Sequence, residues 1–508
     1  MNWSVPPISF PKWLLPYGFK TGAAAISSKT EYNHNGKDFI SQLSDDLSIS
    51  IVSRLRTKEA IRTSILSKRW RNIYKSMPNV DLNSESLVGT APCSQIYFVT
   101  AANRLLKLCS VSLIRSLDLT CHLFNSNCDQ YKSLLSAHCD TYKLFLYSLG
   151  SLLPGIERLS LHNLATVKIF SFSCHLISDI PSLTYLSLAN CSLHQVPNLG
   201  LTQSNSLQEL NLCGVTVLNG TLECILANCL SLHSLSMEIC TVPSKLIFRG
   251  PNLELKSLSV SFCVCIEEIE LCASNLATFK FESVEMVNIR FDHVPKLESM
   301  FLDYTQENGY DDDRTDLLIV KDLPPMKSFS FSTTNSLREV FSSLSMWINK
   351  FRNISQLSIH LHSTGSADFV LLARVFESCP RLQEFQLNTE LVKHIDVKDV
   401  RRPPELIHPE LKKVEIAGHS GTKAEIEFAL YILESAICLE QMQISRCSKK
   451  YNRRGRWIGI DKPQWSKETL EMIHEQLQGQ AISQNARLTI QHFYVSLNNH
   501  FPFNNVKN

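Results

Sequence analysis

The sequence lacks the features that mark membrane-bound and secreted proteins. No apolar run reaches the length of about 18 residues that a membrane-spanning helix needs. Residues 1–36 contain no basic cluster followed by an apolar run, so they do not resemble a secretory signal. Their irregular content of Pro, Gly and Ser predicts a mobile tail. We therefore expect a protein of the cytoplasm, the nucleus or both, with reduced thiols and no membrane contact.

Motifs for catalysis and for metal binding are also missing. The sequence contains no H-E-x-x-H, no G-x-S-x-G, no dinucleotide-binding glycine pattern and no kinase motif. Its 17 cysteines do not form the repeated, closely spaced pairs of a zinc site. The formal net charge is only +2, so no overall field attracts nucleic acid. We expect a chain that is not an enzyme and that uses no cofactor.

Residues 37–78 are predicted to form three short helices. Ser44 or Asp45, Thr57 and Ser67 are placed to cap the first turns of these helices.

The first of these helices carries more apolar surface than a small bundle can bury. Leu43, Leu47, Ile51 and Leu55 follow one another at intervals of four, and further apolar residues widen this stripe. A unit of about 40 residues has too small a core to bury two faces of one helix. The surplus apolar face is therefore expected to dock on a partner.

The same stretch resembles an F-box, the module that joins a substrate-recognition protein to the Skp-type adaptor of a cullin-based ubiquitin ligase. The matching residues are I-S-x-L-x-D-D-L at 40–47, I-x-x-R-L at 51–55, T-K-E-A-I-R-T-S at 57–64 and I-L-S-K-R-W-R at 65–71. The T-S-x-L-S-K-R-W form is similar to plant members. The resemblance implies adaptor binding by Leu43, Ser44, Leu47, Ile51, Leu55, Ile61, Leu66 and Trp70. Trp70 could equally pack inside the bundle.

Two observations bear on this interpretation. The family usually has Pro where this chain has Ser44, and Pro would fix the backbone at the first turn of the helix. The segment 67–75 is basic enough to be compared with a DNA-recognition helix, but the strongly apolar first helix does not fit a helix-turn-helix. Adaptor docking is therefore favoured over DNA binding.

A repeat of the form L-x-x-L-x-L, with some aromatic or other apolar replacements, runs through most of the remaining chain. From Leu159 onward, its fourth positions lie 21 to 29 residues apart, which is the period of leucine-rich repeats. The first, fourth and sixth positions are expected to point into a core that stacked repeats share. The units begin at Ile114, Ile156, Leu183, Leu207, Leu232, Leu255, Leu276, Leu297, Met326, Ile354, Leu382, Leu411 and Leu439.

The third, fifth and seventh positions of each unit are expected to leave the core and form the inner face of the solenoid. A target protein is predicted to bind there. The residues chosen for this role are Arg158, Tyr185, Glu209, Glu238, Lys280, Phe301 and Asp303. Cysteine occupies the ninth position of four units, as Cys191, Cys240, Cys263 and Cys447, where a small residue is expected to bond the backbone at a turn.

Residues 408–447 resemble the FBD module that closes many plant F-box/leucine-rich-repeat proteins. The features that carry the resemblance are the strand LKKVEI, Gly418, Gly421, Glu425 and the apolar face of a following helix. The segment AGHSGTK is interpreted as a turn that enters this helix, because its glycine spacing does not match a phosphate-binding loop.

The basic stretch 448–457 is interpreted as a solvated loop rather than as a nuclear-import or nucleic-acid patch. A further helix over 466–478 and a strand over 486–495 are expected to cap the end of the solenoid.

The predicted fold is an α/β solenoid. It comprises a mobile tail (1–36), a three-helix F-box bundle (37–78), a leucine-rich-repeat horseshoe (94–400), an FBD-like terminal repeat unit (401–447), and a basic loop with a C-terminal cap (448–508). The resemblance implies a substrate-recognition subunit of a Skp-cullin-F-box ubiquitin ligase, with a Skp-type adaptor, a cullin and a target protein as partners. The alternatives are a non-catalytic leucine-rich-repeat scaffold with a degenerate F-box and, less favoured, a nuclear DNA-associated protein.

Overall fold

The computed structural model describes residues 40, 42–88, 98–121, 155–163, 171–195, 206–250, 253–285, 287–304, 320–321, 323–334, 348–362, 370–390, 407–452 and 456–492. The chain divides into two compact units, Met1–Leu232 and His233–Asn508. The predicted tail over 1–36 lies outside the described residues.

The first unit begins with three short helices, α1 (Asp45–Val52), α2 (Thr57–Arg62) and α3 (Lys68–Lys75). Two of the predicted caps are present. The Ser44 hydroxyl accepts a hydrogen bond from the backbone N–H of Leu47 at 3.4 Å. The Ser67 hydroxyl accepts one from the backbone N–H of Trp70 at 3.3 Å.

The predicted cap at Thr57 is wrong. The N-cap of α2 is Arg56, whose side chain makes no capping hydrogen bond, and Thr57 is the first helical residue. The Thr57 hydroxyl instead accepts a hydrogen bond from the backbone N–H of Asp81 at 2.8 Å. Asp81 belongs to the next strand, so the Thr57 hydroxyl accepts a tertiary hydrogen bond instead of capping the helix.

The bundle has one filled core. Its buried members come from all three helices and from Met77, two residues after α3, and Ile49 and Ile61 pack against them. The core residues are Val52, Ala60, Trp70, Ile73, Tyr74 and Met77.

The rest of the first unit is built on one parallel sheet. Its strands are β1 (Asn79–Asn83), β2 (Ser116–Cys121), β3 (Arg158–Asn163), β5 (Tyr185–Ala189) and β7 (Glu209–Cys213), paired in that order. A second, smaller parallel sheet contains β4 (Ser171–Ser173), β6 (Ser192–His194) and β8 (Thr216–Val217). The helices of this part are α4 (Ser84–Val88), α5 (Phe98–Leu108) and α6 (Thr221–Asn228).

The second unit has the same organisation. Its larger parallel sheet contains β9 (Ser234–Glu238), β11 (Ser257–Ser261), β13 (Thr278–Glu282), β15 (Ser299–Tyr304), β17 (Ser328–Thr333), β18 (Gln356–Leu361), β19 (Glu384–Thr389), β20 (Lys413–Ala417), β21 (Gln441–Ser445) and β24 (Arg487–Gln491). A smaller parallel sheet contains β10 (Lys245–Arg249), β12 (Glu268–Cys272), β14 (Asn288–His293) and β16 (Val320–Lys321).

The described residues of the second unit also form three helices and a hairpin. The helices are α7 (Val370–Ser378), α8 (Lys423–Ser435) and α9 (Lys467–Leu477), and the antiparallel hairpin pairs β22 (Ser448–Asn452) with β23 (Arg456–Ile460). Short 3₁₀ turns occur over Thr63–Ile65, Val111–Leu113, Cys174–Ile177 and Ile348–Asn353. The predicted final helix and final strand correspond to α9 and β24.

Every predicted repeat contributes a strand. The predicted alternation of buried and more exposed residues holds in the repeat strands from β2 to β9, whereas in β15 and β17 the outward positions are buried as well. In β3, Leu159 and Leu161 are buried, while Arg158 is exposed and Ser160 is half-buried. Equivalent positions of successive repeats are direct neighbours, as in the pairing of Leu159 with Leu186. Stacking therefore joins the leucines into one core within each unit, and the predicted fold class is confirmed.

The chain turns sharply after each of several strands, at the eighth position of the repeat. Gly214 and Gly418 adopt positive φ there, as do Asn190, Ile239 and Phe262. The cysteine that follows is buried at all four predicted sites. The Cys240 thiol donates to the Glu238 carbonyl at 3.4 Å, which confirms the predicted bond to the turn backbone for this residue.

Gly418 offers a test of this turn. Its φ is +81°, and an added Cβ would overlap the carbonyl of Thr389 on the neighbouring repeat. Gly479 is the matched control, because its φ is +79° but nothing lies within 4 Å of an added Cβ. We expect Gly479→Ala to cost about 1–2 kcal/mol of unfolding free energy, from backbone strain alone. Gly418→Ala should cost about 1–3 kcal/mol more. Denaturant unfolding of both variants is the measurement, and equal losses would contradict this account of the turn.

The FBD-like segment has the predicted strand, turn and helix. Thr422 caps α8, and the Glu425 carboxylate accepts from the Thr422 backbone N–H at 2.9 Å, which closes a capping box. Gly421 enters the helix at φ +88°. The glycines therefore serve a turn that leads into a helix, as predicted.

Candidate functional site

The first candidate surface lies on α1. Ser48 and Val52 face the bundle core, whereas Leu47 is 56% exposed and Ile51 is 49% exposed. Leu55, just after the helix, is also exposed. Large apolar side chains grouped on one solvent-facing surface are typical of an interaction site. The predicted surplus face of the first helix is therefore present.

The connection between α2 and α3 adds further exposed apolar side chains to the bundle. Leu66 is exposed, as the sequence predicted. Ile65 is even more exposed, at 74%, and was not among the predicted residues. Its place beside Leu66 in the I-L-S-K-R-W motif is the signal that could have identified it. We call Leu47, Ile51, Leu55, Ile65 and Leu66 the apolar patch of the bundle.

Other predicted adaptor contacts lie differently. Leu43 is half-buried, and Ile61 packs against the core. Trp70 is only 7% exposed and belongs to the core itself, so internal packing is the role that the structure gives it. A tryptophan at this depth can fix the shape of the patch, but it offers almost no surface of its own to a partner.

The start of α1 is held by α3. Arg69 donates through Nε to the Asp45 carboxylate at 2.8 Å. The same guanidinium also bonds the Leu43 carbonyl. Ser44 lies between these two anchored residues and is itself exposed. The position where the family usually has Pro is therefore a solvent-accessible edge of the bundle, with both of its neighbours held by Arg69.

The second candidate surface is the inner face of the main sheet in the first unit. The Arg158 guanidinium lies 3.7 Å from the centre of the Tyr185 ring. Asn211 donates to the Tyr185 hydroxyl at 3.2 Å. Glu209 is exposed beside them, as the strand partner of Tyr185. Tyr and Arg are residue types that often dominate binding energy at protein interfaces, so this cluster suits target recognition.

In the second unit, two predicted target-binding residues are buried. Phe301 is 1% exposed and Asp303 is 7% exposed, although both positions point away from the leucine core. Lys280 lies over the Phe301 ring, with its Nζ 5.7 Å from the ring centre, and pairs with Glu282 at 2.8 Å. The prediction that Phe301 and Asp303 are open to a target is wrong. Both side chains point away from the leucine core, but neighbouring residues cover them on the other face. Glu238 remains half-exposed.

The hairpin β22–β23 covers part of the inner face. Asn388 in β19 donates to the Lys449 carbonyl and accepts from the Lys449 N–H, each at 2.7 Å. The buried Lys449 ammonium pairs with the buried Glu415 carboxylate in β20. Burial lowers the pKa of Lys449, and the neighbouring Glu415 opposes this effect.

The stretch predicted as a solvated basic loop is therefore largely structured. Residues 448–452 and 456–460 pair as strands, and one of the basic side chains is buried. The predicted positions 453–455 lie outside the described residues. His360 in β18 is fully buried next to Lys449, and burial holds its pKa well below the usual value. This part of the inner face is closed to a target.

Other kinds of site were sought in the described ranges. No group of three or more His, Cys, Asp or Glu residues suited to a metal occurs there. Among the described helices, none is long and apolar enough to cross a membrane.

Comparison with known proteins gives two family matches. Residues 150–495 match the family described as At1g61320/AtMIF1, LRR domain, and residues 40–80 match the F-box domain. The chain is 24% identical over 434 residues to the F-box/FBD/LRR-repeat protein At5g44980 of Arabidopsis thaliana, covering 80% of this chain and 92% of that protein.

Two further relatives also come from Arabidopsis thaliana. The F-box/FBD/LRR-repeat protein At5g22660 is 22% identical over 461 residues, covering 83% of this chain and 92% of the relative. The F-box/LRR-repeat protein At3g59210 is 27% identical over 381 residues, covering 68% of this chain and 72% of the relative.

Proposed function

The chain belongs to the plant F-box/FBD/leucine-rich-repeat family, and on that premise we propose that it is the substrate-recognition subunit of a Skp-cullin-F-box ubiquitin ligase. In this role the bundle docks on a Skp-type adaptor, and the adaptor connects the chain to a cullin. The repeats bind a target protein. The chain contributes proximity rather than chemistry, since holding two reactants together raises the effective concentration of one toward the other.

The observation that carries this proposal is the apolar patch of the bundle. The bundle already has a complete core, and yet it leaves Leu47 and Ile51 exposed on the opposite side of α1. The exposed basic residues Arg54 and Arg62 lie on the same small bundle. They favour an acidic partner, because complementary charge steers association.

We propose that the target binds first on the inner face around Arg158, Tyr185 and Glu209. The support is the stacked Arg158–Tyr185 pair and the accessibility of Arg158 and Glu209. The covered strands β18 to β20 are excluded from this surface. Tyr185→Ala should therefore weaken cross-linking of a tagged chain to its target. His360→Ala, in the covered strand β18, should leave the pattern of cross-linked residues unchanged.

A plain binding scaffold with a degenerate F-box is the competing role. It predicts that no Skp-type adaptor copurifies with the chain.

We propose that the chain acts in the cytoplasm or nucleus. Accumulation of a fluorescently tagged chain in the secretory pathway would contradict it.

Ser44 provides a graded test of adaptor docking. Its φ of −63° matches the angle that Pro imposes, and in the described part of the chain its backbone N–H has no acceptor. Ser44→Pro should stiffen the free chain and so tighten adaptor binding by about 0.4–1 kcal/mol, a few-fold in Kd. It loses the hydroxyl cap, whose 3.4 Å bond to Leu47 is long. Calorimetric titration against one adaptor preparation measures the change.

Ser44→Ala is the matched control, because it removes the same hydroxyl without fixing φ. We expect it to weaken binding slightly or leave it unchanged. If Ser44→Pro binds more weakly than Ser44→Ala, the edge of α1 is not preorganised as proposed.

A further inference from the structure

A basic groove runs along the amino-terminal ends of the inner strands in the second unit. Its volume is about 730 Å³, within the range of about 300–1,000 Å³ that small-ligand sites occupy. The buried side chains of Leu297 and Met326 form part of its floor. The polar side chains that line it are Lys256, Asn275, Lys296, Glu298, Lys327, Asn353 and Arg381.

The repeat fixes where these side chains start. The backbone N–H of Ala277 donates to the Lys256 carbonyl, that of Glu298 to Ala277, and that of Lys327 to Glu298, each at 2.9 Å. Each step is one strand spacing of about 4.8 Å, so Lys256 and Lys327 are about 14 Å apart along the edge. Ala277 lies between them, and its small side chain leaves the groove open at that point.

The charge in the groove is strongly unbalanced. Among the described residues that line it, four side chains are cationic and Glu298 is the one carboxylate. Glu298 pairs with Lys327 at 2.8 Å. Lys296 donates to the neutral amide of Asn275 at 2.7 Å, so its charge is not cancelled. Within the ranges that the structure describes, Lys256 and Arg381 have no carboxylate partner.

We propose that this groove binds a phosphate-bearing ligand. Lys256 and Lys296 lie near Ala277 and supply point charges to a phosphate there. Arg381 lies two strand steps beyond Lys327, so it can form a two-pronged contact only with a second phosphate of a longer ligand. A phosphate group carries about −1.5 to −2 charge near neutral pH, so it balances these cations better than a single carboxylate does. The phosphate belongs either to a small polyphosphate or to a phosphorylated side chain of a bound protein.

This inference goes beyond the proposed function, because the groove lies in the second unit and adaptor docking uses the bundle of the first. Adaptor binding should therefore be unchanged in the groove variants, and thermal unfolding checks that the second unit of each variant is intact. A failed phosphate experiment leaves the proposal about the ligase untouched, and the converse also holds.

The experiment is a calorimetric titration of the full chain with inorganic triphosphate and with a phosphoserine peptide, using the unphosphorylated peptide as reference. Lys256→Glu with Lys296→Glu should weaken phosphate binding by at least about tenfold. The milder pair Lys256→Gln with Lys296→Gln should weaken it in the same direction. Lys467→Glu with Arg487→Glu is the control, since both residues are exposed in the same unit and the change in charge is identical.

Binding of triphosphate alone assigns the groove to a small polyphosphate. Binding of the phosphopeptide but not of its unphosphorylated form assigns it to a modified protein. The proposal is overturned if neither probe binds, or if the control pair weakens binding as much as the groove pair does.

Discussion

Combining Leu47→Asp with Ile51→Asp is expected to abolish binding of a Skp-type adaptor while the chain stays folded. Burying each of these side chains against a partner contributes about 1.5–3 kcal/mol, so losing both costs at least about 3 kcal/mol, or about 100-fold in Kd. Two buried carboxylates without partners would add to this loss. The free chain should tolerate both changes, because about half of each side chain already lies in solvent.

The measurement is a titration of wild type and variant against one adaptor preparation, with circular dichroism to check folding. The matched control replaces Leu218 and Ile437 by Asp, since these leucine and isoleucine residues are 49% and 44% exposed and lie outside the bundle. The control should bind as wild type does. Wild-type affinity in the Leu47/Ile51 variant would remove the apolar patch from the docking interface.

Lys449→Met is expected to produce the largest loss of stability among single substitutions on the inner face. It leaves the Glu415 carboxylate buried without the Lys449 ammonium, and the neutral Gln386 amide, which donates to Glu415 at 3.2 Å, does not cancel that charge. Breaking one side of a buried ion pair typically costs about 3–5 kcal/mol. Combining it with Glu415→Leu should recover much of that loss, because two apolar groups can pack where the ion pair was.

Thermal and denaturant unfolding of the full chain measure both variants. Lys467→Met is the control, because the Lys467 side chain is 85% exposed and pairs with Glu471 of its own helix. It should change stability by less than about 0.5 kcal/mol. If Lys449→Met is as mild as the control, the hairpin does not rest on the inner face as the structure has it.

The repeat strands could be predicted because their signal is local. Alternation of apolar and polar residues over six positions, repeated along the chain, specifies both a strand and its buried face. The same reasoning correctly located the surplus apolar face of α1. It located the caps at Ser44 and Ser67, whose partners lie three residues away.

The misassignments share a physical cause, which is contact between residues far apart in sequence. The Lys449 backbone N–H donates a hydrogen bond to Asn388, 61 residues earlier, and no local sequence pattern predicts that contact. Thr57 bonds Asp81, 24 residues later. Phe301 was predicted to be accessible from its position in the repeat, but its burial depends on what packs over it. Tertiary packing also gives Trp70 the internal position, one of the two roles that the sequence left open. Position in a motif therefore identifies the face of the strand or helix on which a side chain lies. Tertiary packing determines whether that face is exposed to solvent.

Reconstitution tests the central claim most directly. The purified full chain is mixed with a purified Skp-type adaptor and the amino-terminal part of a cullin, and the mixture is separated by size-exclusion chromatography with light scattering. We predict one species that contains all three chains in equal amounts, and its loss when Leu47 and Ile51 are replaced by Asp. Separate elution of the wild-type chain from the adaptor would contradict the account.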